Sequence, residues 1–366
     1  MATRTKRATR KAPPAPPNHN RLSIVILGLI GAALLIGAFG FYFNSQTEEL
    51  THQVFSAQAT LFPPEENENA AILNQPTIPA RAVTPLPLAS GKLDKTLNIL
   101  LLGSDRRAND PVWRTDVMMI VFLDMNNGRA AILSLPRDLY VDIPTRGWDR
   151  INIADFWGEY TKYQGGGPEL LKRVIADNFG VRVDKYARVD FNGFKRIIDT
   201  VGGVDVNVPC PIEDDFIDPD SPTGFRHLQV DAGLQHMNGD TALMYVRQRH
   251  GNGDISRAQR QQRVVFALRA KLLSPNIVTQ ILPLYAQLQD AIQTDFTTLD
   301  LPGLVQAGAN IKPGNIRGRV VDETMASQWT TPDGKSVLVF DKNKVRKAVE
   351  DLFNAPPIEE SQVTCY

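Results

Sequence analysis

Hydrophobic positions fall into three regimes along the chain. From Leu22 to Phe43, in LSIVILGLIGAALLIGAFGFYF, no residue is charged, and as a helix this segment is long enough to cross a hydrocarbon core of about 30 Å. From residue 44 to about 94 the apolar residues lose any sustained period. PPEENENAAILNQPTIPARAVTPLPLAS is rich in Pro, Ala and polar residues, a composition that stays extended without a packed core, and it predicts a flexible linker. From Leu97 to about Asn354, short apolar runs alternate with amphipathic stretches, with no internal repeat.

Within this third regime, TLNILLLG at 96–103 is a continuous apolar run of the kind that forms a buried strand. DVMMIVFLD (116–124) and AAILSL (130–135) predict two more, joined through Asn126-Asn127-Gly128, residues that tolerate the positive φ of a hairpin turn. PELLKRVIADNFG (168–180) predicts an amphipathic helix closed by Gly180. NGFKRIIDTVGG (192–203) predicts another, followed by the strand VDVNV. Helices are also expected from Asn238 through Tyr245 and from Ser256 to about Leu273. Near the end, GRVVDE and SVLVFD predict strands and NKVRKAVEDLF a closing helix. Strands alternating with helices place the fold in the α/β class, with a central mixed β-sheet flanked by helices. The expected organisation is a basic tail (1–21), a transmembrane helix (22–43), the linker (44–94), one catalytic domain (95–354) and a disordered C-terminal tail (355–366).

Charge sets the orientation of the apolar segment. Arg4, Lys6, Arg7, Arg10, Lys11 and Arg21 precede it and no acid does, which holds the N-terminus in the cytoplasm and sends the rest outward. A cleaved signal peptide also has a basic start and an apolar core. Its core is usually shorter, and Tyr42-Phe43-Asn44-Ser45-Gln46 offers no small-residue cleavage pattern, so an uncleaved anchor is expected. Over the whole chain Lys plus Arg equals Asp plus Glu, at 40 each. Without the six basic residues of the tail, 34 bases face 40 acids, a balance that argues against a general nucleic-acid binder. Cys210 and Cys365 are expected to be two separate thiols, and no CxxC or His/Cys cluster has the spacing of a zinc site.

Candidate chemistry gathers where the predicted strands end. Asp105 and Arg107 follow the first strand in GSDRR, Arg114 and Asp116 open the second in RTD, and Arg137 and Asp138 follow the third in SLPRD. If the first two strands are neighbours, Asp105 and Asp116 share one rim and Arg137 reaches it. Two adjacent carboxylates with no His among the ligands suit Mg²⁺ or Mn²⁺; the alternative is a set of solvated loop salt bridges. YVRQRHGNGDISRAQRQQR (245–263) carries Arg247, Arg249, Arg257, Arg260 and Arg263 against one acid, Asp254. Such density in a net-acidic domain implies an anionic partner, and the arginine fork suits a pyrophosphate; a solvated helix face is the alternative. In an extended segment Arg247 and Arg249 would face the same way.

The blocks GSDRR, RTDVMMIVFLD, ILSLPRDLYVDIP, RIN, VDFNGFKRIIDTVGGVDV, GLQHMNGDTALMYVRQRH and GDISRAQRQQR together resemble the LytR-CpsA-Psr family of cell-wall enzymes, over nearly all of 97–353. The resemblance implies an α/β sheet enclosing a long apolar pocket for a polyprenyl chain. It also implies transfer of a glycopolymer, with one phosphate, from an undecaprenyl-pyrophosphate carrier onto a peptidoglycan acceptor. It implies that Asp105 and Asp116 bind Mg²⁺ and that Arg137, Arg247 and Arg249 hold the phosphates. Arg107, Arg114, Arg257 and Gln261 match further polar positions of the site, and Arg260 lies among them. Arg150, in DRIN, stands where many members have Lys, so a wider fork replaces a point-like ammonium. Asp116, Asp138 and Asp254 are all candidates for the general base. Helices 168–180, 192–201 and 256–273 are candidates to line a lipid pocket, or are plain core. A polyprenyl-pyrophosphate hydrolase and a non-catalytic envelope regulator remain open beside the transferase.

Overall fold

The computed structural model describes residue 93 and residues 95–107, 111–217, 224–248 and 253–358. The expected anchor, nearly all of the linker, Arg249 and Cys365 lie outside the described residues. No helix among the described residues is long and apolar enough to cross a membrane.

The first three predicted strands form as a consecutive antiparallel unit: β1 (Leu97–Ser104), β2 (Thr115–Asp124) and β3 (Arg129–Ser134). The turn between β2 and β3 carries Gly128 at φ 59°. Asp124 ties it, accepting from Asn127 N–H at 3.2 Å, from Asn127 Nδ2 and from Arg129 Nε at 2.8 Å. A ribbon follows that the hydrophobic pattern does not announce, β4 (Tyr140–Ile143) paired with β5 (Gly147–Arg150). A single turn then leads into α1 (Ala154–Tyr160) and α2 (Gly166–Phe179). Gly180, at φ 68°, closes α2 by donating its N–H to Ala176 O. The α1–α2 pair approaches closely: a Cβ on Gly167 would lie 2.0 Å from Asp155 O.

β6 (Lys185–Val189) returns parallel to β1, and α3 (Phe191–Thr200) follows, capped by Asp190 accepting from Gly193 N at 2.7 Å. The VDVNV segment is β7 (Val204–Val208). It pairs with β10 (Gly233–Met237) in a ribbon apart from the central sheet, and β8 (Ile212–Ile217) and β9 (Phe225–Val230) form another. α4 (Gly239–Arg247) starts where expected, with Asn238 accepting from Thr241 N at 2.9 Å. α5 (Gly253–Leu272) starts three residues before the expected Ser256. α6 (Pro275–Val278), α7 (Ile281–Leu288), β11 (Gln293–Thr294) and α8 (Leu301–Asn310) precede β12 (Ile316–Val320). The ribbon of β13 (Ala326–Thr330) and β14 (Ser336–Phe340) and the helix α9 (Lys342–Glu350) complete the domain.

The central sheet has the order β11-β6-β1-β2-β3-β12, with β6 parallel to β1, β12 parallel to β3 and the other pairs antiparallel. It is the mixed sheet expected. Its two faces differ in burial. Leu100, Leu102, Met118, Ile120, Phe122, Ala131 and Leu133 share one face by register and are almost completely buried. On the opposite face Met119, Ala130 and Ile132 are buried in a second core with Ile311, Ile316 and Ile358, and Leu101, Val117, Val121 and Leu123, with Val265 and Phe266 of α5, pack against it only half-buried. The other side of α5, through Val264 and Ala267, joins a separate core with α3, α4 and β7.

Two sequence expectations are corrected. Cys210 is disulfide-bonded rather than a separate thiol. Linear spacing carries no information about which cysteines the fold brings within bonding distance. Ala355–Ile358, expected to begin the disordered tail, pack on β12. Gly318 donates its N–H to Pro356 O at 3.2 Å, and Ile358 is buried in the core beside Ile316.

Candidate functional site

The rim at the end of β1 and the start of β2 is built by the antiparallel register. Ser104 pairs with Thr115, and the register shifts between Gly103 and Ser104, so the chain turns out of the sheet just before Asp105. Asp105 is then locked to the neighbouring strand. Its N–H donates to Arg114 O at 3.0 Å, and its Oδ1 accepts from Arg114 N at 2.5 Å. One residue on, Asp116 accepts from Arg137 Nη1 at 2.9 Å. The loop after β3 therefore reaches the start of β2, where Arg137 meets Asp116.

Arg137 is the hub. Its Nε lies 3.5 Å from Asp138 Oδ2 without forming a hydrogen bond, and Asp138 Oδ1 lies 3.4 Å from Arg150 Nε. Burial works against the Arg137 charge, but Asp116, Asp138 and Asp254 outweigh it and hold the guanidinium above its usual pKa. The influence of Asp254 ties the N-terminus of α5 to this rim. There Asp254 pairs with Arg257 at 3.1 Å. Arg150 also donates Nε and Nη2 to Ser336 O, at 3.0 and 2.6 Å, so β5 is tied to β14.

Along α5 three arginines are buried: Arg257, Arg260 and Arg263. A three-residue spacing puts all of them on one helix face. Arg260 donates to Gln248 O and Gln261 to Val246 O at 3.3 Å, which fastens α5 to the end of α4. Burial pushes the Arg260 guanidinium down, to about 10, helped by Arg263 and Arg257 and opposed by Tyr245. Two buried guanidinium nitrogens, Arg137 Nε and Arg260 Nε, have no hydrogen-bond partner among the described residues. A buried donor left unmade costs about 1–3 kcal/mol, so these nitrogens point to an anionic oxygen from a ligand. Arg247 is exposed at the last turn of α4, stacked over Phe191 at 4.8 Å and Phe216 at 5.7 Å. Because it is helical, the alternation expected of an extended Arg247–Arg249 segment does not apply to it. Arg107 and Arg114 are exposed beside the rim, and Arg249 is outside the described residues.

Behind the rim lies a buried group that the sequence reading missed. Thr115, between Arg114 and Asp116, donates to Asp155 Oδ2 at 2.9 Å, and Arg188 of β6 pairs with Asp155 at 2.6 Å and Glu159 at 2.9 Å. Arg188 also donates to Gln293 and stacks under Trp113. Burial pushes the Asp155 carboxyl up, to about 6, against the pull of Arg188 and Thr115. Gln262 is a second such contact. Its Nε2 donates to Ser134 Oγ and Arg319 O, pinning α5 to β3 and β12. No sequence spacing links Thr115 to Asp155 or Gln262 to Ser134; only the polar identity of residues amid apolar runs could have flagged them.

The donor set suits a hard cation. Among the described residues no group of three or more His, Cys, Asp or Glu could hold a metal. The two carboxylates at the rim provide oxygen ligands only, and the Arg137 contact uses one oxygen of Asp116. Mg²⁺ is commonly held by one or two carboxylates together with substrate phosphates, so Asp105 and Asp116 fit that role.

A family model described as the LytR_cpsA_psr family matches residues 64–354. The regulatory protein MsrR of Staphylococcus aureus (strain COL) is 30% identical over 272 residues, covering 72% of this chain and 76% of its own length. The polyisoprenyl-teichoic acid–peptidoglycan teichoic acid transferase TagU of Oceanobacillus iheyensis is 34% identical over 239 residues, 64% of this chain and 70% of its own. The crystal structure of TagV from B. subtilis superposes with a TM-score of 0.57 at 26% identity, covering 73% of this chain and all of that one.

Proposed function

The chain belongs to the LytR_cpsA_psr family, and from that premise we propose that it is a Mg²⁺-dependent phosphotransferase acting in cell-wall glycopolymer attachment. It moves a glycopolymer from an undecaprenyl-pyrophosphate carrier onto peptidoglycan and releases undecaprenyl phosphate. The observation that carries this reading is the acidic rim gathered on Arg137, whose buried Nε has no hydrogen-bond partner among the described residues. The relative named as a teichoic acid transferase supports the reaction class. We further propose an N-terminus in the cytoplasm, a single membrane pass at 22–43 and an extracytoplasmic catalytic domain, on the charge asymmetry of the first 43 residues.

Phosphoryl transfer asks for positioning and charge neutralisation more than for a covalent nucleophile. Arg137, Arg257, Arg260 and Arg247 hold the pyrophosphate oxygens, and the buried ones act with little screening by water. Gln261 and Gln262 fix α5 so that its arginines keep their places. An acceptor hydroxyl of the glycan strand attacks the phosphorus next to the sugar. The bond to the bridging oxygen breaks, and its electron pair leaves on undecaprenyl phosphate. Asp116, Asp138 and Asp254 all surround Arg137 and are the groups placed to take the hydroxyl proton. Asp105 and Asp116 would hold Mg²⁺, which would supply charge neutralisation. The half-buried face of the sheet, with Leu101, Val117, Val121, Leu123, Val265 and Phe266, is where the polyprenyl chain lies.

The full-length chain incubated with a polyprenyl-pyrophosphate-linked glycan, with and without Mg²⁺, tests this. The expected products are polyprenyl monophosphate and, with added peptidoglycan, a covalently attached glycan. Cleavage without attachment makes the protein a hydrolase. No cleavage of any lipid carrier removes the enzymatic reading altogether.

A further inference from the structure

Three aromatic rings from two separate ribbons form an open platform next to the reaction centre. Tyr140 of β4 touches Trp148 of β5 at 5.3 Å between ring centroids, and touches Trp329 of β13 at 5.7 Å. Trp148 is 39% exposed and Trp329 45%. Large rings left this open in a well-packed domain mark an interaction surface rather than core. The ribbons are held rigidly side by side. Leu338 N donates to Asp138 O at 2.8 Å, Leu139 bridges Leu338, and Arg150 grips Ser336 O.

The platform is continuous with the site. Tyr140 pairs in register with Arg150, which reaches Asp138, which borders Arg137. Charged groups border it on the other side. Lys335 lies 3.3 Å from Asp333 and 3.6 Å from Asp149, and the Tyr140 hydroxyl lies within the influence of Asp149 and Asp333. Exposed aromatic faces edged by carboxylate, ammonium and guanidinium groups match the chemistry of a carbohydrate. The C–H bonds of a pyranose lie on the negative face of a ring, while its hydroxyls and amides bond to charged neighbours.

We infer that Tyr140, Trp148 and Trp329 form the subsite that seats the acceptor, a β-1,4-linked amino-sugar strand. This rests on the function proposed above. The rings adjoin Arg137 through Arg150 and Asp138, whereas the proposed phosphate-binding arginines of α5 adjoin it through Asp254, so the two sets meet it by different carboxylates. In-line displacement brings nucleophile and leaving group from opposite sides of the phosphorus.

Titrating the full-length chain with chitohexaose, read by tryptophan fluorescence and calorimetry, tests the subsite without any lipid substrate. Saturable binding is expected, weakened about tenfold in Trp148→Ala and in Trp329→Ala, roughly the loss of one good contact. Trp329→Phe keeps a ring and is expected to retain most of the affinity. Thermal unfolding midpoints show that each variant is folded. Absence of saturable binding to the parent chain overturns the proposal, as does unchanged affinity in both alanine variants. Displacement of the hexasaccharide by a ribitol-phosphate oligomer would assign the platform to the donor polymer instead. Failure of the chain to cleave a lipid pyrophosphate would defeat the proposed function while leaving this titration readable.

Discussion

Arg137 is surrounded by Asp116, Asp138 and Asp254, and burial alone would not keep a cation there. Its charge neutralises that acidic ring and leaves Nε to meet a ligand oxygen. Arg137→Ala therefore removes a phosphate-binding donor and leaves three carboxylates facing an anionic substrate. Cleavage of the lipid pyrophosphate is expected to fall by about 100-fold or more in kcat, the size of effect seen when one oxyanion donor is lost. Arg137→Lys is expected to recover only part, because an ammonium cannot reproduce the fork that reaches Asp116 and the ligand together. Steady-state kinetics of both variants check this. At the same scale, chelation by EDTA should abolish cleavage and Mg²⁺ should restore it. In Asp105→Ala the Mg²⁺ concentration for half-maximal rate is expected to rise by more than about tenfold, a loss that even outer-shell changes produce.

At the scale of elements, the start of β2 is what places Arg114, Thr115 and Asp116, and the buried trio of Thr115, Asp155 and Arg188 fixes that start from behind. Asp155 titrates upward in the fold, to about 6 from an ordinary 3.8. A carboxyl with a raised folded pKa takes up a proton on folding, so its contribution to stability declines as pH rises from about 4 to about 6 and is constant above. The stability difference between the parent chain and Asp155→Asn is thus expected to narrow across that window, measured by urea unfolding at a series of pH values. A difference that widens instead would mean that Arg188 holds the carboxyl below its ordinary value. Above the window Arg188 keeps Glu159 and Gln293 in the variant, so the residual cost is expected to be about 1–3 kcal/mol. Element ends were legible where a local rule governs them. Asn238 opens its helix, and Gly180 and Gly128 take positive φ where the helix end and the hairpin need it, whereas the caps Asp190 and Asp341 were not singled out. The ribbon of β4 and β5 and the helix α1 were not legible, because strands of four residues and a seven-residue helix are too short to display a period.

Across the whole molecule, the asymmetry of the central sheet is the feature with functional weight. One face is almost completely buried, and the other carries a smaller core edged by half-buried apolar residues of β1, β2 and α5, an apolar strip on the arginine-bearing helix. A polyprenyl chain lying there would enter from the same side as its pyrophosphate. Val121→Trp fills the strip with a bulky ring while staying apolar. It is expected to raise the KM of a long-chain polyprenyl pyrophosphate by about tenfold, since burying several CH₂ groups is worth about 0.8 kcal/mol each. A short geranyl pyrophosphate should be affected far less. Equal effects on both chain lengths would place the lipid elsewhere. Of the three helices considered as pocket lining, α2 buries its apolar side completely, and α5 is the one that lies over the half-covered face.

The sequence by itself determined the three leading strands, their hairpin and the meeting of Arg137 with Asp116 at the start of β2, because each follows from contacts between consecutive elements. The family likeness of its motifs was also written there. Tertiary structure decided the rest. It set which strands leave the central sheet, that Asp155 and Arg188 stand behind Thr115, that Cys210 is disulfide-bonded, and that Trp329 joins Tyr140 and Trp148 on one open surface. Those contacts join residues far apart along the chain, and their partners are chosen by packing and burial, which no local period records.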